Sequence, residues 1–164
     1  MQLSEQLENR LERFCERLID QDAASVIVQP KKRSEGFWFG GGNMVRDSKG
    51  AFYLVGRYRN AGDSRTGLFA GERGLELAIF RSDDNAQSFE KVLSFSKHDL
   101  TVDGKKVLSI EGTALRLTEQ GAELFLSTEN DVPYPAELKG FQKPGTGVWS
   151  IDYISAPTVE ALDP

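Results

Sequence analysis

Residues 51–59 read Ala-Phe-Tyr-Leu-Val-Gly-Arg-Tyr-Arg, a run that stays apolar until it reaches its arginines. A strand this apolar is typical of the centre of a sheet, where neighbours cover it. Asp47-Ser48-Lys49-Gly50 comes just before it and predicts a hairpin turn, because Asp supplies a side-chain hydrogen bond and Gly a positive φ. The chain around residues 51–59 is therefore expected to be β-sheet.

Further short strands are predicted on both sides of this run. They fall at residues 25–29, 37–39, 43–46, 74–81, 89–95, 109–115, 122–129 and 147–155. The same order of strand, turn, strand and polar loop recurs along the chain. We predict an all-β domain over residues 23–164, and the recurring order favours a β-propeller of roughly two to three blades over a sandwich.

An amphipathic helix is predicted ahead of the sheets, within residues 1–22. Apolar residues recur every three or four positions from Leu3 to Ile19, and Ser4 is a suitable N-cap. We expect the apolar side to pack against the chain's own sheet, with Cys15 as a small buried hydrophobe. A helix that binds a partner is the alternative.

Composition limits the classes of function. The formal net charge of −5 argues against nucleic acid as a partner, because phosphate binding depends on clustered Lys and Arg. With Cys15 and His98 as the single cysteine and histidine, we expect no disulfide within the chain, no metal site and no cofactor. The sequence shows no membrane-length apolar run and no signal peptide, so we expect a cytoplasmic protein without a membrane partner.

Residues 57–73 hold the densest group of candidate binding residues. They are Arg57, Arg59, Asp63, Arg65, Glu72 and Arg73. Arg57 and Arg59 lie two apart on a strand and so point to one face, where paired guanidiniums suit a carboxylate, a phosphate or sugar hydroxyls. A set of surface ion pairs is the alternative.

Aromatic residues and a glycine run lie near these arginines. Trp38 and Tyr58 stand at strand ends and are candidates to stack on a sugar ring; Tyr134 and Trp149 are further candidates, and a core position is the alternative for each. Gly40-Gly41-Gly42 lacks the Lys-Ser/Thr of a phosphate loop, and it predicts close approach of the backbone to a neighbour or a ligand.

Residues 82–89, Ser-Asp-Asp-Asn-Ala-Gln-Ser-Phe, resemble the Asp-box of sialidases and related propellers, which reads Ser-x-Asp-x-Gly-x-Ser/Thr-Trp/Phe. Ala86 stands where the glycine belongs. The resemblance implies a hairpin turn in which Asp84 bonds turn amides, away from the active site. It bears on the fold and not on catalysis.

Residues 41–59 resemble the first-blade hairpin of the five-bladed β-propeller glycosidases, the group of arabinanases, β-xylosidases, fructosidases and related mannoside phosphorylases. Residues 110–115, a turn at Gly121 and residues 124–127 resemble the blade in which arabinanases and β-xylosidases carry Glu-Gly-Pro. In those families the glutamate is the general acid, a role that falls here on Glu111. The resemblance covers roughly residues 37 to 155.

Two departures from those families matter. Their general base is an aspartate followed by proline, and the matching position here is near Asn43, which cannot take a proton as a carboxylate does. A five-bladed propeller needs about 250 to 300 residues, so this chain would supply about half. We expect a fragment of a longer protein; closure in some other way, or assembly of copies, is the alternative.

The sequence thus predicts a glycoside hydrolase-like protein acting on a carbohydrate, and the arginines favour an acidic or anionic sugar. Glu111 is the expected general acid, unless it is a surface loop residue, and Asp63 is the expected second carboxylate. Substrate contacts are assigned to Arg57, Arg59, Arg65, Arg73, Trp38, Asn43, Tyr58 and Glu129. The alternatives are a non-catalytic carbohydrate-binding or structural propeller fragment and a sialidase-like enzyme.

Overall fold

The computed structural model describes residues 3–60, 73–101 and 104–164, which form one α-helix and eight β-strands. The elements are α1 (Glu5–Leu18), β1 (Trp38–Gly40), β2 (Met44–Arg46), β3 (Phe52–Arg59), β4 (Glu76–Ser82), β5 (Glu90–Ser96), β6 (Val107–Thr118), β7 (Gly121–Asn130) and β8 (Val148–Ala156), with short 3-10 helices at Ala136–Phe141 and Val159–Ala161. The prediction of a mostly β chain with an N-terminal helix is confirmed.

Sheet 1 contains β1 to β5 and is antiparallel throughout. β3 lies inside it, because β1 and β2 pair with one edge of β3 and β4 pairs with the other. β4 and β5 follow as a hairpin. The central position predicted for residues 51–59 is confirmed.

Sheet 2 contains β6, β7 and β8, also antiparallel. β8 pairs with β7 along its full length, from Val148 opposite Asn130 to Ala156 opposite Ala122. Within the described ranges, no strand pairs with the second edge of β8, and the two sheets do not close into a propeller.

The two sheets pack face to face, and alternate residues of their strands fill the space between them. Tyr53, Val55, Leu77 and Ile79 come from sheet 1, and Ile110, Leu115, Leu124 and Leu126 come from sheet 2. Val159 and Leu162, close to the end of the chain, are buried against the same core. This core fixes which ends of the strands lie side by side.

The opposite face of sheet 1 carries a second, smaller apolar cluster. Tyr58 and Phe80 are buried there, and the Phe39 ring meets both edge-on with centroids 5.0 and 5.2 Å away. Val28 packs on this cluster from the segment before β1.

The strand predicted at residues 25–29 is wrong. Among the described residues that segment forms no strand, and it contributes Val28 alone to the core while Val26 and Ile27 are exposed. The segment instead lies over the outer face of sheet 1, where Val28 packs on the second apolar cluster, and a segment that packs on a face is not placed to pair with a strand edge.

α1 begins at its predicted N-cap, where Ser4 Oγ accepts a hydrogen bond from Leu7 N at 3.4 Å. Its apolar stripe consists of Leu3, Leu7, Leu11, Phe14, Leu18 and Ile19 at the helix and its two ends, all of them exposed. The described part of the chain buries no residue of α1. The prediction that the helix packs on the chain's own sheet is wrong, as is a buried Cys15, because the inner faces of the sheets already fill one another.

The turn between β4 and β5 has the form implied by the Asp-box resemblance. Asp84 accepts hydrogen bonds from the backbone N–H groups of Gln87 and Ser88 and from the hydroxyls of Ser82 and Ser88. These bonds, led by those from Ser88, hold the pKa of Asp84 well below its usual range. Ala86, at the glycine position, has φ +66°.

Candidate functional site

A β-bulge places Glu111 where the two sheets meet. Ile110 lies opposite Thr128 and Thr113 lies opposite Leu126, so Glu111 and the residue after it together face a single residue of β7. A bulge of this kind re-aims a side chain and is common beside functional sites. Glu111 is buried, and it is a strand residue rather than a surface loop residue.

Three donors hold the Glu111 carboxylate. Ser109 Oγ donates to Oε1 at 2.6 Å, Arg57 Nη2 lies 2.8 Å from Oε2, and Arg73 Nη1 lies 3.5 Å from Oε1. Arg57 also donates through Nη1 to the Ile110 carbonyl oxygen at 3.1 Å. Arg57 therefore links β3 of sheet 1 to both the backbone and the side chain of β6 in sheet 2.

A second carboxylate, Glu129, shares the same guanidinium. Arg73 Nη2 lies 2.5 Å from Glu129 Oε2, and the backbone N–H of Gly147 donates to Oε1 at 2.8 Å. The contact between Arg73 and Glu129 is an ion pair. Glu129 is 1% exposed.

We call Arg57, Arg73, Glu111 and Glu129 the arginine–glutamate cluster. Among the described residues, two positive and two negative side chains meet here, and the pairing of opposite charges is what makes their burial tolerable. The sequence singled out all four residues, and the structure brings them together from β3, β6, β7 and the segment before β4.

Trp38 and Arg59 lie on the same face of sheet 1 as Arg57. Trp38 is opposite Arg59, and Gly40 is opposite Arg57, and directly opposed residues of antiparallel strands share a face. The Arg59 guanidinium lies 5.0 Å from the centre of the Trp38 ring. The ring folds over Gly40, where any Cβ would collide with it, and the Trp38 side chain remains 45% exposed.

Asn43 joins the sheets. Its Nδ2 donates to the Leu115 carbonyl oxygen at 3.0 Å, and its Oδ1 accepts from Leu115 N at 2.8 Å. Next to it, Thr113 N donates to the Gly41 carbonyl at 2.9 Å, and a Cβ on Gly42 would collide with Val55. The close approach predicted for the glycine run is confirmed, and a neighbouring strand is what approaches.

The remaining predicted residues lie elsewhere. Tyr58 is buried on the opposite face of sheet 1, with Lys31 Nζ 4.5 Å from its ring centre, because neighbouring strand residues point to opposite faces. Asp63 and Arg65 lie outside the described residues. Trp149 is exposed on β8.

Three contributors were not expected from the sequence: Ser109, Gly74 and Gly147. Ser109 stands two residues before Glu111, an alternation that could have placed both on one face. Gly74 has φ +53°, its carbonyl accepts from Ile110 N at 3.0 Å, and a Cβ on it would collide with Ser109. No local pattern in the sequence marks Gly74 or Gly147, because their partners lie far away along the chain.

The described residues contain no group of three or more His, Cys, Asp or Glu side chains placed to hold a metal ion. None of their helices is long and apolar enough to cross a membrane. Comparisons with protein-family models, with curated proteins and with solved structures find no match for this chain.

Proposed function

We propose that sheets 1 and 2 are two neighbouring blades of a β-propeller and that the protein is glycoside hydrolase-like, with its sugar site at the arginine–glutamate cluster. The observation that carries the proposal is the pairing of Glu111 and Glu129 on one guanidinium, that of Arg73, beside a bulge. Glycosidases cleave with two carboxyl groups that flank the scissile bond, and converging buried charges are typical of functional sites.

The strand order supports the blades. In each sheet the strands follow one another outward in chain order, from β2 through β3 and β4 to β5, and from β6 to β8. β2 and β6, at the inner edges of the two sheets, lie side by side, as the innermost strands of blades do around a propeller axis. Asn43, just before β2, is hydrogen-bonded there to Leu115 of β6. Ser82, which begins the Asp-box turn, lies opposite Phe52 at one end of β3, whereas Arg57 lies toward the other end of that strand. The turn and the arginine–glutamate cluster are therefore at opposite ends of sheet 1.

In the proposed mechanism Glu111 first takes up a proton from solvent and then transfers it to the leaving-group oxygen, while a second carboxyl group activates water or attacks the sugar. Glu129 is the second carboxyl group within the described residues, and Asp63 remains the candidate outside them. The three contacts of Glu111 all make it an acceptor, so a leaving-group oxygen has to replace one of them. The Arg73 contact, at 3.5 Å, is the longest and the easiest to give up.

Trp38 supports a sugar as the ligand. A half-exposed indole lying against a glycine offers an apolar surface for the C–H face of a sugar ring, and it lies on the face that carries Arg57 and Arg59. A sugar bearing a carboxylate would compete with Glu111 and Glu129 for the arginines. This competition makes a sialidase-like enzyme, which holds its substrate carboxylate on arginines, the weaker alternative.

A non-catalytic carbohydrate-binding protein is the second candidate. It is favoured by the three donors on Glu111, whose side chain is 12% exposed, because a carboxylate held in this way is well suited to fixing two sheets in place. The two candidates differ in whether bound sugar is cleaved.

The test is a screen of aryl-glycosides and neutral and acidic oligosaccharides for turnover and for binding. Glu111→Gln should lower turnover by about 100-fold or more, the scale of general acid catalysis, and leave sugar binding measurable. Glu119→Gln, on the exposed β6–β7 turn, is the control and should behave as the wild type. Circular dichroism and thermal melting establish that each variant is folded.

Trp38→Ala should weaken sugar binding in both candidates without unfolding the chain, because the ring is half exposed. Binding without turnover by the wild type would select the non-catalytic candidate. A wild-type chain that neither binds nor cleaves any member of the panel would overturn both.

A further inference from the structure

Two apolar surfaces of the chain are uncovered in the described residues. The first is the apolar stripe of α1. The second is the face of sheet 2 opposite the apolar core, where Trp149, Ile151 and Tyr153 alternate along β8 and are 57%, 75% and 55% exposed. At the Trp149 end this face continues into the arginine–glutamate cluster, because Glu129 lies opposite Trp149. The Phe125 ring of β7 lies 5.1 Å from that of Tyr153, so this apolar face extends across two strands.

We propose that these surfaces cover each other in a dimer, in which α1 of each copy packs on the outer face of sheet 2 of the other copy. Each copy then gives one helix and receives one, so the contact is the same on both sides and the assembly closes at two chains. In this dimer the apolar stripe of α1 and the apolar face of sheet 2 are both removed from water.

The available area fits a stable dimer. The stripe contributes six large apolar side chains and β8 contributes three, all between 39% and 75% exposed. At roughly 100 Å² apiece, about half of what a large apolar side chain buries, they offer about 900 Å² per copy. Stable interfaces bury about 800 Å² per partner. Pairing of the stripes alone, or of the sheet faces alone, falls below that value.

The path of the chain favours a second copy over the helix's own sheet 2. Val28 is anchored in the second apolar cluster, on the face of sheet 1 that points away from sheet 2. Roughly ten residues separate it from the end of α1, a reach of about 33 Å when fully extended. To reach its own outer face, α1 would have to pass around the edges of both packed sheets.

The composition of α1 favours a protein surface over a lipid surface. The helix carries Glu5, Glu8, Glu12 and Glu16 against Arg10, Arg13 and Arg17. It therefore lacks the excess of basic residues that draws a helix to anionic lipid. A helix of 14 residues is only marginally stable when isolated in water, so a packing partner is needed to hold it.

β8 itself needs protection. Among the described residues no strand pairs with its second edge, which is nine residues long and has Asp152 as its one charged residue, without lysine or proline. A helix lying along the neighbouring face limits the approach of further strands. The exchange thus covers the most exposed part of sheet 2.

The experiment is the mass of the full chain in solution, by size exclusion with light scattering or by sedimentation, across the micromolar range. The wild type should have twice the chain mass of 18.2 kDa. Phe14→Glu in the stripe and Ile151→Lys on β8 should each give monomers that remain folded by circular dichroism, since both positions are exposed. Asn9→Glu places the same charge on the opposite side of α1 and should leave the dimer intact.

Mixing the Phe14→Glu and Ile151→Lys chains distinguishes the exchange from other dimers. The mixture retains one intact contact, between the helix of the second variant and the sheet of the first, so a weaker heterodimer should form. If Phe14→Glu alone dissociates the dimer, the helices pair with each other; if Ile151→Lys alone does so, the sheets pair. Either result, or a monomeric wild type, would overturn the proposal.

Discussion

At the scale of single residues, Ala86 carries backbone strain. It occupies the left-handed region with φ +66° in the turn held by Asp84. A side chain in this region costs roughly 1–2 kcal/mol, which glycine avoids. The alanine is the single departure of this turn from the Asp-box pattern, and the bonds of Asp84 hold the turn in spite of it.

Ala86→Gly is expected to raise the free energy of unfolding by about 1 kcal/mol, because relief of the strain exceeds the added freedom of glycine in the unfolded chain. Urea unfolding measures the change. Ala114→Gly, on β6 where φ is not positive, is the matched control and should lower stability. A loss of stability in Ala86→Gly would mean that the turn does not depend on the left-handed conformation of residue 86.

At the scale of elements, Asn43 connects β2 to β6 through both ends of its amide. The Leu115 carbonyl needs a donor and the Leu115 N–H needs an acceptor, and asparagine supplies the two together. An ionised aspartate supplies acceptors alone. Asparagine is thus the residue that the contact between these strands requires.

Asn43→Asp should lower the free energy of unfolding by about 1–3 kcal/mol at neutral pH, the usual cost of a buried polar group left without its partner. The new carboxyl donates to Leu115 only when protonated, so its pKa in the folded chain should be raised. The deficit should therefore be full above that pKa and shrink as the pH falls through it. Denaturant unfolding at several pH values measures this, with the exposed Asn9→Asp as control; a deficit independent of pH would contradict it.

Sequence patterns predicted elements where local rules decide the structure. The Asp47 turn, the hairpin of β4 and β5 and the pair β6–β7 follow from turn residues and from alternation, which act over a few positions. The same rules predicted an apolar stripe on α1 but could not tell what covers it. The failure at residues 25–29 has the same origin, because whether a segment pairs with a strand edge or packs on a sheet face depends on distant parts of the chain.

At the scale of the molecule, the arginine–glutamate cluster fastens sheet 1 to sheet 2. Its residues were recognisable as unusual, since Arg57 ends an apolar strand and Glu111 stands beside a glycine. The sequence could not predict that these residues pair with one another, because the bulge that orients Glu111 depends on the register of β6 against β7. The contact of Arg73 with both carboxylates likewise requires the two sheets to be docked.

Arg73→Met should lower the free energy of unfolding by about 3–5 kcal/mol, because it leaves Glu129 buried without a cation. Adding Glu129→Gln should recover part of the loss, since glutamine keeps an acceptor for the Gly147 N–H and carries no charge. Chemical unfolding of the single and double variants measures the coupling.

The control is Arg116→Met. Arg116 pairs with Glu123 at 3.5 Å on the surface of sheet 2, and removing it should change stability by less than about 1 kcal/mol. A loss in Arg73→Met no larger than that of the control would show that the cluster contributes nothing to joining the sheets.

The contacts between the two sheets also bear on the order in which the chain is expected to fold. Each sheet grows from consecutive hairpins, which form within about 1–10 μs without help from the rest of the chain. The bond from Asn43 to Leu115 spans 72 positions, and the bond from Arg57 to Ile110 spans 53, so they close long loops and form late. We expect the slow step to be the docking of the two formed sheets, when the side chains of Arg57, Arg73, Glu111 and Glu129 lose their bound water together.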